Sequence, residues 1–302
     1  MLKQHWSETK EDTISCPITV LGSREKPKGD QGGLVCLLND QGKLQQIVEL
    51  SMPAGMVRSD NGIFVASIDT IHEFTTNLVP VQQDIVSLPA FNLLHSLSRS
   101  QHGYLAASTG LDVILEFDRT GQLLWEWWAT EHGFAHTPTG ELREIDKSVD
   151  YRGIKFGTLA QTTHVNSASE LPDGTILATL FHQGMIIAID RATGNWRPVL
   201  EDLDHPHAVR VLAENYISVA DTKRGRALLV RLDEQGKGHI EHEVVIDCTW
   251  LQDAYYDQRN DMWFLVDGQN TRLVLRSGPS GEKVVNEIQL DPEWRLYEVL
   301  PL

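Results

Sequence analysis

Apolar positions along this chain recur with the period of strands rather than helices. Runs of roughly five to eight residues, rich in Val, Ile, Leu and aromatics, alternate with Gly, Asn and Asp turns, the signature of many short antiparallel strands. From His164 the chain reads HVNSASEL, a PDG turn, TILATLF, HQG, MIIAIDR, an ATG turn and NWRPVLE, which is four strands in succession. The same four-beat pattern returns from His207 as HAVRVL, YISVAD, ALLVRLD and HIEHEVVI, and again in LQDAYYDQRNDMWFLVDGQNTRLVLRSG. Upstream, His95 opens HSLSRS, YLAAST, VILEFD and LLWEWW, and Ala54 opens a poorer copy around the turn SDNG.

A period of roughly 40 to 45 residues with four strands in each is what propeller blades look like. The C-terminal PEWRLYEVLPL reads as one inner strand, and PITVLGS, LVCLLND and LQQIVEL near the N-terminus supply three more. The expectation is an all-β, six-bladed β-propeller with four-stranded blades, one domain over residues 1–302. Its ring is closed by N-terminal strands pairing with the C-terminal strand, which hides the terminal edges. One segment breaks the period. About 25 extra residues lie between Ala129 and Gly157, after an outer strand, where a long insertion usually covers or borders a site.

Composition narrows the partners. An apolar fraction of 41% with 23% charged residues over 302 positions describes a folded chain with a large core. The 42 acidic against 26 basic residues give a net charge of −16, which repels a phosphate backbone or an anionic bilayer. No nucleic-acid or membrane partner is expected, and a small-molecule substrate is. Met1 to Thr13 carries Lys3, Glu8, Lys10, Glu11 and Asp12 with no apolar run behind it, so no export signal or anchor is expected. Cys16, Cys36 and Cys248 are odd in number and widely spaced, and read as reduced thiols. Together these favour the cytoplasm.

In a four-stranded blade, the links between blades and the loops joining second to third strands emerge at one mouth of the central channel. That places His95, His164, His182, His205 and His207 at the mouth, five of twelve histidines, with Asn166, Asp221, Arg224 and Asp267 beside them. A single His near a strand end is more often structural than catalytic, but recurrence at equivalent blade positions weakens that reading. Asp221 and Asp267 each follow an apolar second strand and could simply satisfy turn amides. Trp125, Trp127, Trp128 and Trp196 fall on outer strands, where packing between blades explains them. His132, His136, Arg152 and Lys155 contribute only if the insertion folds over the mouth. Two chemistries compete. Three neutral imidazoles and a carboxylate suit a divalent metal with an open position. Alternatively, one His acts as nucleophile while neighbouring groups stabilise a transferring anion, and the basic loop TKRGR points the same way.

The run THVNSASELPDGTILATLFHQGMIIAIDRATGNWRPVL, followed by HPHAVRVLAENYISVADTKRGRALLVRLDEQG, resembles the propeller core of bacterial arylsulfotransferases over about residues 90–275. The resemblance rests on His-x-Asn opening an inner strand, an apolar strand ending in Ile-Asp with a Thr-Gly turn, and a second His opening the next blade. It implies transfer of a sulfuryl group between phenols through a sulfohistidine, with no cofactor required. His207 would be the acceptor with His205 as fallback, His164 and Asn166 would bind the sulfuryl oxygens, and His95 would be the histidine of the preceding blade. His182 would only partly replace the family arginine absent from Phe181-His182-Gln183, and neither the family's export signal nor its N-terminal β-domain is expected here. The alternatives are a metal-dependent lyase or hydrolase with His95, His164 and His207 as ligands, and a non-catalytic propeller that binds a small molecule or protein.

Overall fold

The computed structural model describes residues 18–24, 32–39, 41–213 and 215–302, and only the backbone of residues 18–24 and 82–84. Cys16 and the segment Met1 to Thr13 lie outside the described residues. The described residues are strand and connecting loops, and among them are three single-turn 3-10 helices. After β1 (Ile18–Arg24), β2 (Leu34–Leu38) and β3 (Leu44–Glu49) come five blades built from consecutive strands. The first holds β4 (Gly55–Arg58), β5 (Ile63–Ala66), β6 (Ile71–Phe74) and β7 (Pro80–Val86), and the second β8 (Leu94–Arg99), β9 (Tyr104–Ser108), β10 (Val113–Phe117) and β11 (Leu123–Trp128). The third holds β12 (Val165–Glu170), β13 (Ile176–Leu180), β14 (Met185–Ile189) and β15 (Trp196–Leu200), and the fourth β16 (His207–Ala213), β17 (Tyr216–Asp221), β18 (Arg226–Leu232) and β19 (Gly238–Val245). The fifth holds β20 (Leu251–Asp257), β21 (Met262–Asp267), β22 (Arg272–Ser277) and β23 (Lys283–Gln289), and β24 (Trp294–Pro301) ends the chain.

The expectation of a six-bladed propeller is corrected to five blades, each a self-contained unit of continuous chain. The remaining strands form a composite sheet in the order β24-β1-β2-β3, in which Ile18 faces Pro301 and Val20 faces both Val299 and Cys36. The physical reason is that this sheet is assembled from strands far apart in the chain, so it repeats no continuous four-strand unit. Inner strands are neighbours round the channel in the order β4, β8, β12, β16, β20, β24 and back to β4.

The second and third strands are sandwiched between neighbouring blades. IFVA, YLAAS, ILATL and MWFLVD are buried along their whole length, which is why they read as continuous apolar runs. Fourth strands face water on one side and are largely exposed, as in β19. Blades are also latched laterally by hydrogen bonds. Ser98 Oγ donates to the Ala168 carbonyl and Ser169 Oγ to the Val209 carbonyl, each at 2.8 Å. Trp125 and Trp127 donate their Nε1–H to Arg191 and Gly194 carbonyls at 3.0 Å, and Trp196 donates to the His132 carbonyl at 2.9 Å.

The insertion lies across the loops of the two blades before it. Tyr151 N donates to Pro89 O at 2.8 Å, Asn92 Nδ2 donates to Tyr151 O and Ile154 O at 2.7 and 2.6 Å, and Gly153 N donates to Asp69 Oδ2 at 3.1 Å. Arg143 pairs with the fully buried Asp112 carboxylate, and Ile145, Tyr151 and Phe156 pack on the adjoining core. Among the described residues no helix is long and apolar enough to cross a membrane. Cys36 is a buried free thiol, pushed up to about 12, and Cys248 is half-buried and pushed up to about 11, both chiefly by burial.

Candidate functional site

The links into the inner strands adopt a backbone that ordinary residues avoid. Leu93, His164 and His205 have φ of 50°, 49° and 59°, and Ala208 has 56°. Such positions outside glycine are strained and concentrate where function demands a particular geometry. Here they turn a side chain into the channel at the point where each of three blades begins.

Five imidazoles gather at this mouth, four of them around one phenylalanine. The His164 ring lies 5.1 Å from His95, 4.6 Å from Phe181 and 5.9 Å from His182. Phe181 is 4.1 Å from His205 and 5.5 Å from His207, and Trp250 is 5.8 Å from His207. A cavity of about 300 Å³ opens here, lined among others by His95, Thr158, His164, Phe181, His207 and Trp250. His95 and His207 also line a second cavity of about 390 Å³ that continues down the channel past Arg210, Asp253 and Glu298.

Hydrogen bonds fix the proton of each ring. His95 Nδ1 is 2.9 Å from the Leu93 carbonyl, and His207 Nδ1 is 3.0 Å from the His205 carbonyl and 2.8 Å from Thr222 Oγ1. A carbonyl can only accept, so Nδ1 carries the hydrogen in both and Nε2 keeps its lone pair. His164 Nδ1 meets the Gln161 side-chain oxygen in the same sense. In His182 the ring is reversed, with Nε2 donating to the Thr158 carbonyl at 3.1 Å.

Burial holds these rings neutral. It lowers His95 and His182 below the ordinary imidazole range and drives His207 down to about 3, with His95 adding to the effect. His164 lies well below the range, first through burial and then through the imidazoles around it. His205 differs in surroundings. It is 28% exposed at the rim, and its Nδ1 is hydrogen-bonded to the Asp204 carboxylate. Asp204 is itself set by a 2.6 Å bond from its backbone N–H to Asp221.

The other expected site residues are engaged within the protein. Asn166 donates to the Pro206 carbonyl at 3.0 Å and accepts from Thr179 at 2.6 Å. Asp221 is fully buried and takes Arg226 Nε at 2.6 Å and Arg224 at 3.4 Å, while Arg224 also pairs with Asp202. Asp267 accepts from Arg272 Nε at 2.8 Å and from Asn270. The basic groups of TKRGR are thus largely neutralised by carboxylates. Among the described residues no three His, Cys, Asp or Glu side chains are grouped so as to hold a metal ion. Of the insertion's candidates, His132 stacks on Trp127 at 5.2 Å and Arg152 pairs with Asp150. Three contributors went unread in the sequence: Asp204, Phe181 and Trp250. Trp250 had a usable signal, since it precedes the inner strand Leu251–Asp257 as His164 precedes Val165–Glu170.

No family model matches the chain, and neither does any curated protein. Solved structures do. A periplasmic gluconolactonase from Pseudomonas aeruginosa superposes with a TM-score of 0.55 at 15% identity, covering 95% of this chain and 85% of its own. A putative 6-phosphogluconolactonase from Bacteroides uniformis gives 0.59 at 11%, covering 95% and 100%. Virginiamycin B lyase from Staphylococcus aureus gives 0.51 at 13%, covering 91% and 76%. The shared property is a β-propeller fold. These likenesses support the propeller fold and lend no support to the arylsulfotransferase reading, since the similar propellers carry lactonase and lyase names. The motifs behind that reading are explained by the fold: Ile189-Asp190 with its Thr193-Gly194 turn closes a hairpin, where Asp190 caps Thr193, and Asn166 latches two blades.

Proposed function

We propose that the protein is a small-molecule hydrolase or lyase working at the imidazole-lined mouth. The observation that carries this reading is the His205–Asp204 pair at the rim, beside imidazoles held in the neutral form. A carboxylate on Nδ1 fixes the ring so that Nε2 presents its lone pair and stabilises the imidazolium once a proton is taken. His205 is the general base, removing a proton from water in a hydrolysis or from substrate carbon in an elimination. Burial holds His207, His164 and His95 towards the neutral form. They hold and orient the substrate through their Nε2 atoms. The lactonase- and lyase-like propellers of the same fold support the class of chemistry by analogy.

The experiment is turnover of a panel of small lactones and esters by the wild type and by His205→Ala. Loss of roughly a hundredfold or more in kcat is expected from removing a general base. Asp204→Asn is expected to lower kcat with little change in KM, because it disturbs the ring rather than the binding surface. Turnover by His205→Ala at the wild-type rate contradicts the assignment.

A further inference from the structure

Four consecutive residues in the turn between β17 and β18, Asp221 to Arg224, reach one short link. That link, residues 202–207, carries Asp204, His205 and His207 into the inner strand β16 of the same blade. Asp221 accepts from the Asp204 N–H at 2.6 Å, and the Lys223 N–H donates to the Asp204 carbonyl at 3.1 Å. Arg224 donates to the Asp202 carbonyl and, at 3.0 Å, to the Asp202 carboxylate. Thr222 Oγ1 lies 2.8 Å from His207 Nδ1.

Both backbone groups of Asp204 are thus tied to one turn. The tie matters because the link is not relaxed: Asp202 and His205 each have a φ of 59°. Few residues other than glycine adopt that conformation, and it persists only where the surroundings hold it. The turn that holds it is itself anchored. Asp221 and Thr222 are fully buried, Asp221 takes Arg226 Nε at 2.6 Å, and the Thr222 carbonyl accepts from Leu251 N of the next blade at 3.0 Å.

We infer that Asp221 to Arg224 form the positioning element of the site, in which Asp221 holds the Asp204 carboxylate against His205 Nδ1 by clamping the Asp204 backbone. Asp221 and Arg224 act through this link and not on the substrate. The consequence for turnover rests on the acid–base role of His205, whereas the consequence for the proton on its ring does not.

Asp221→Ala removes the acceptor for the Asp204 N–H, and Asp221→Asn keeps a carbonyl oxygen in its place. Arg226 retains its second partner, Glu243 at 2.8 Å, in both variants. In ¹⁵N spectra of histidine-labelled protein at pH 7.5, wild-type His205 is expected to carry its proton on Nδ1 alone, and Asp221→Ala to show both tautomers. On the ester or lactone that the wild type turns over best, Asp221→Ala is expected to lower kcat about tenfold or more, since a small misplacement of a reacting group suffices for that. KM is expected to change little, and Asp221→Asn to recover most of the loss. Arg224→Ala, which frees Asp202, is expected to mix the tautomers of His205 as well and serves where Asp221→Ala does not fold. Both tautomers in the wild type, or a single Nδ1–H tautomer in the folded variant, overturns the positioning role. Tautomers that mix as expected in a protein that turns over no ester or lactone support the positioning role and count against the acid–base role alone.

Discussion

His164 shows how one residue's conformation is held by another far along the chain. Its φ of 49° lies in the left-handed region that few non-glycine residues adopt, and Asp112 grips the backbone there. That carboxylate accepts from the N–H groups of Thr162, Thr163 and His164 at 2.8, 2.9 and 2.7 Å and from Thr163 Oγ1 at 2.8 Å. Arg143 from the insertion neutralises it, with both side chains buried. Asp112→Ala therefore removes the acceptor for four donors and leaves Arg143 buried without its counter-ion. Urea unfolding is expected to show a loss of about 3–5 kcal/mol, the usual cost of breaking a buried pair from one side. A loss below 1 kcal/mol, the size of a surface substitution, would mean that His164 is held by something else.

Among the elements, the inner strands carry both the mouth and the structural network beneath it. Arg210 on β16 pairs with Asp253 on β20 and with Glu298 on β24, the latter at 2.8 Å, and stacks over Tyr255 at 5.1 Å. Asp253 also accepts from Val299 N at 3.0 Å and Glu298 from Met56 N at 2.8 Å, so the network ties the C-terminal strand to blades on both sides. Burial, reinforced by Asp253, pushes the Glu298 carboxyl up to about 8. The two acids are therefore unequal. Arg210→Ala strands the buried Asp253 carboxylate and is expected to cost about 3–5 kcal/mol, whereas Glu298→Gln keeps an acceptor for Met56 N in place of an acid that burial already pushes towards its neutral form, and is expected to cost much less. Equal losses in chemical denaturation would contradict this division.

At the scale of the whole molecule, the four-strand period and the position of each inner strand were legible because buried strands read as apolar runs and turns announce themselves with Gly, Asn and Asp. The number of blades was not, because the composite sheet has no repeat unit of its own in the chain. The histidines were legible as a mouth cluster, since four stand at inner-strand starts and His182 in a loop joining a second to a third strand. Their chemistry was not, because it depends on which carbonyl faces Nδ1, on the 4.1 Å approach of Phe181 to His205 and on Asp204. Asp221 and Asp267 carry a signal that could have been read: each is followed five residues later by an arginine, Arg226 and Arg272, that closes an ion pair.

Neutral imidazoles also link the mouth to the stability of the whole. An unfolded chain takes up protons on histidine below about pH 6.5, while native His207 resists them down to about 3. Between those values the unfolded state binds more protons, so stability falls as pH falls, by up to about 1.4 kcal/mol per pH unit for such a group. The most direct test of the account is a ¹⁵N NMR titration of histidine-labelled protein, read residue by residue from pH 7.5 down to the onset of acid unfolding. The account predicts that His95, His164 and His207 carry one proton, on Nδ1, with Nε2 bare, and that they stay neutral as pH passes below 6.5. Imidazolium signals from these three at neutral pH, or protons on Nε2 instead, would contradict it.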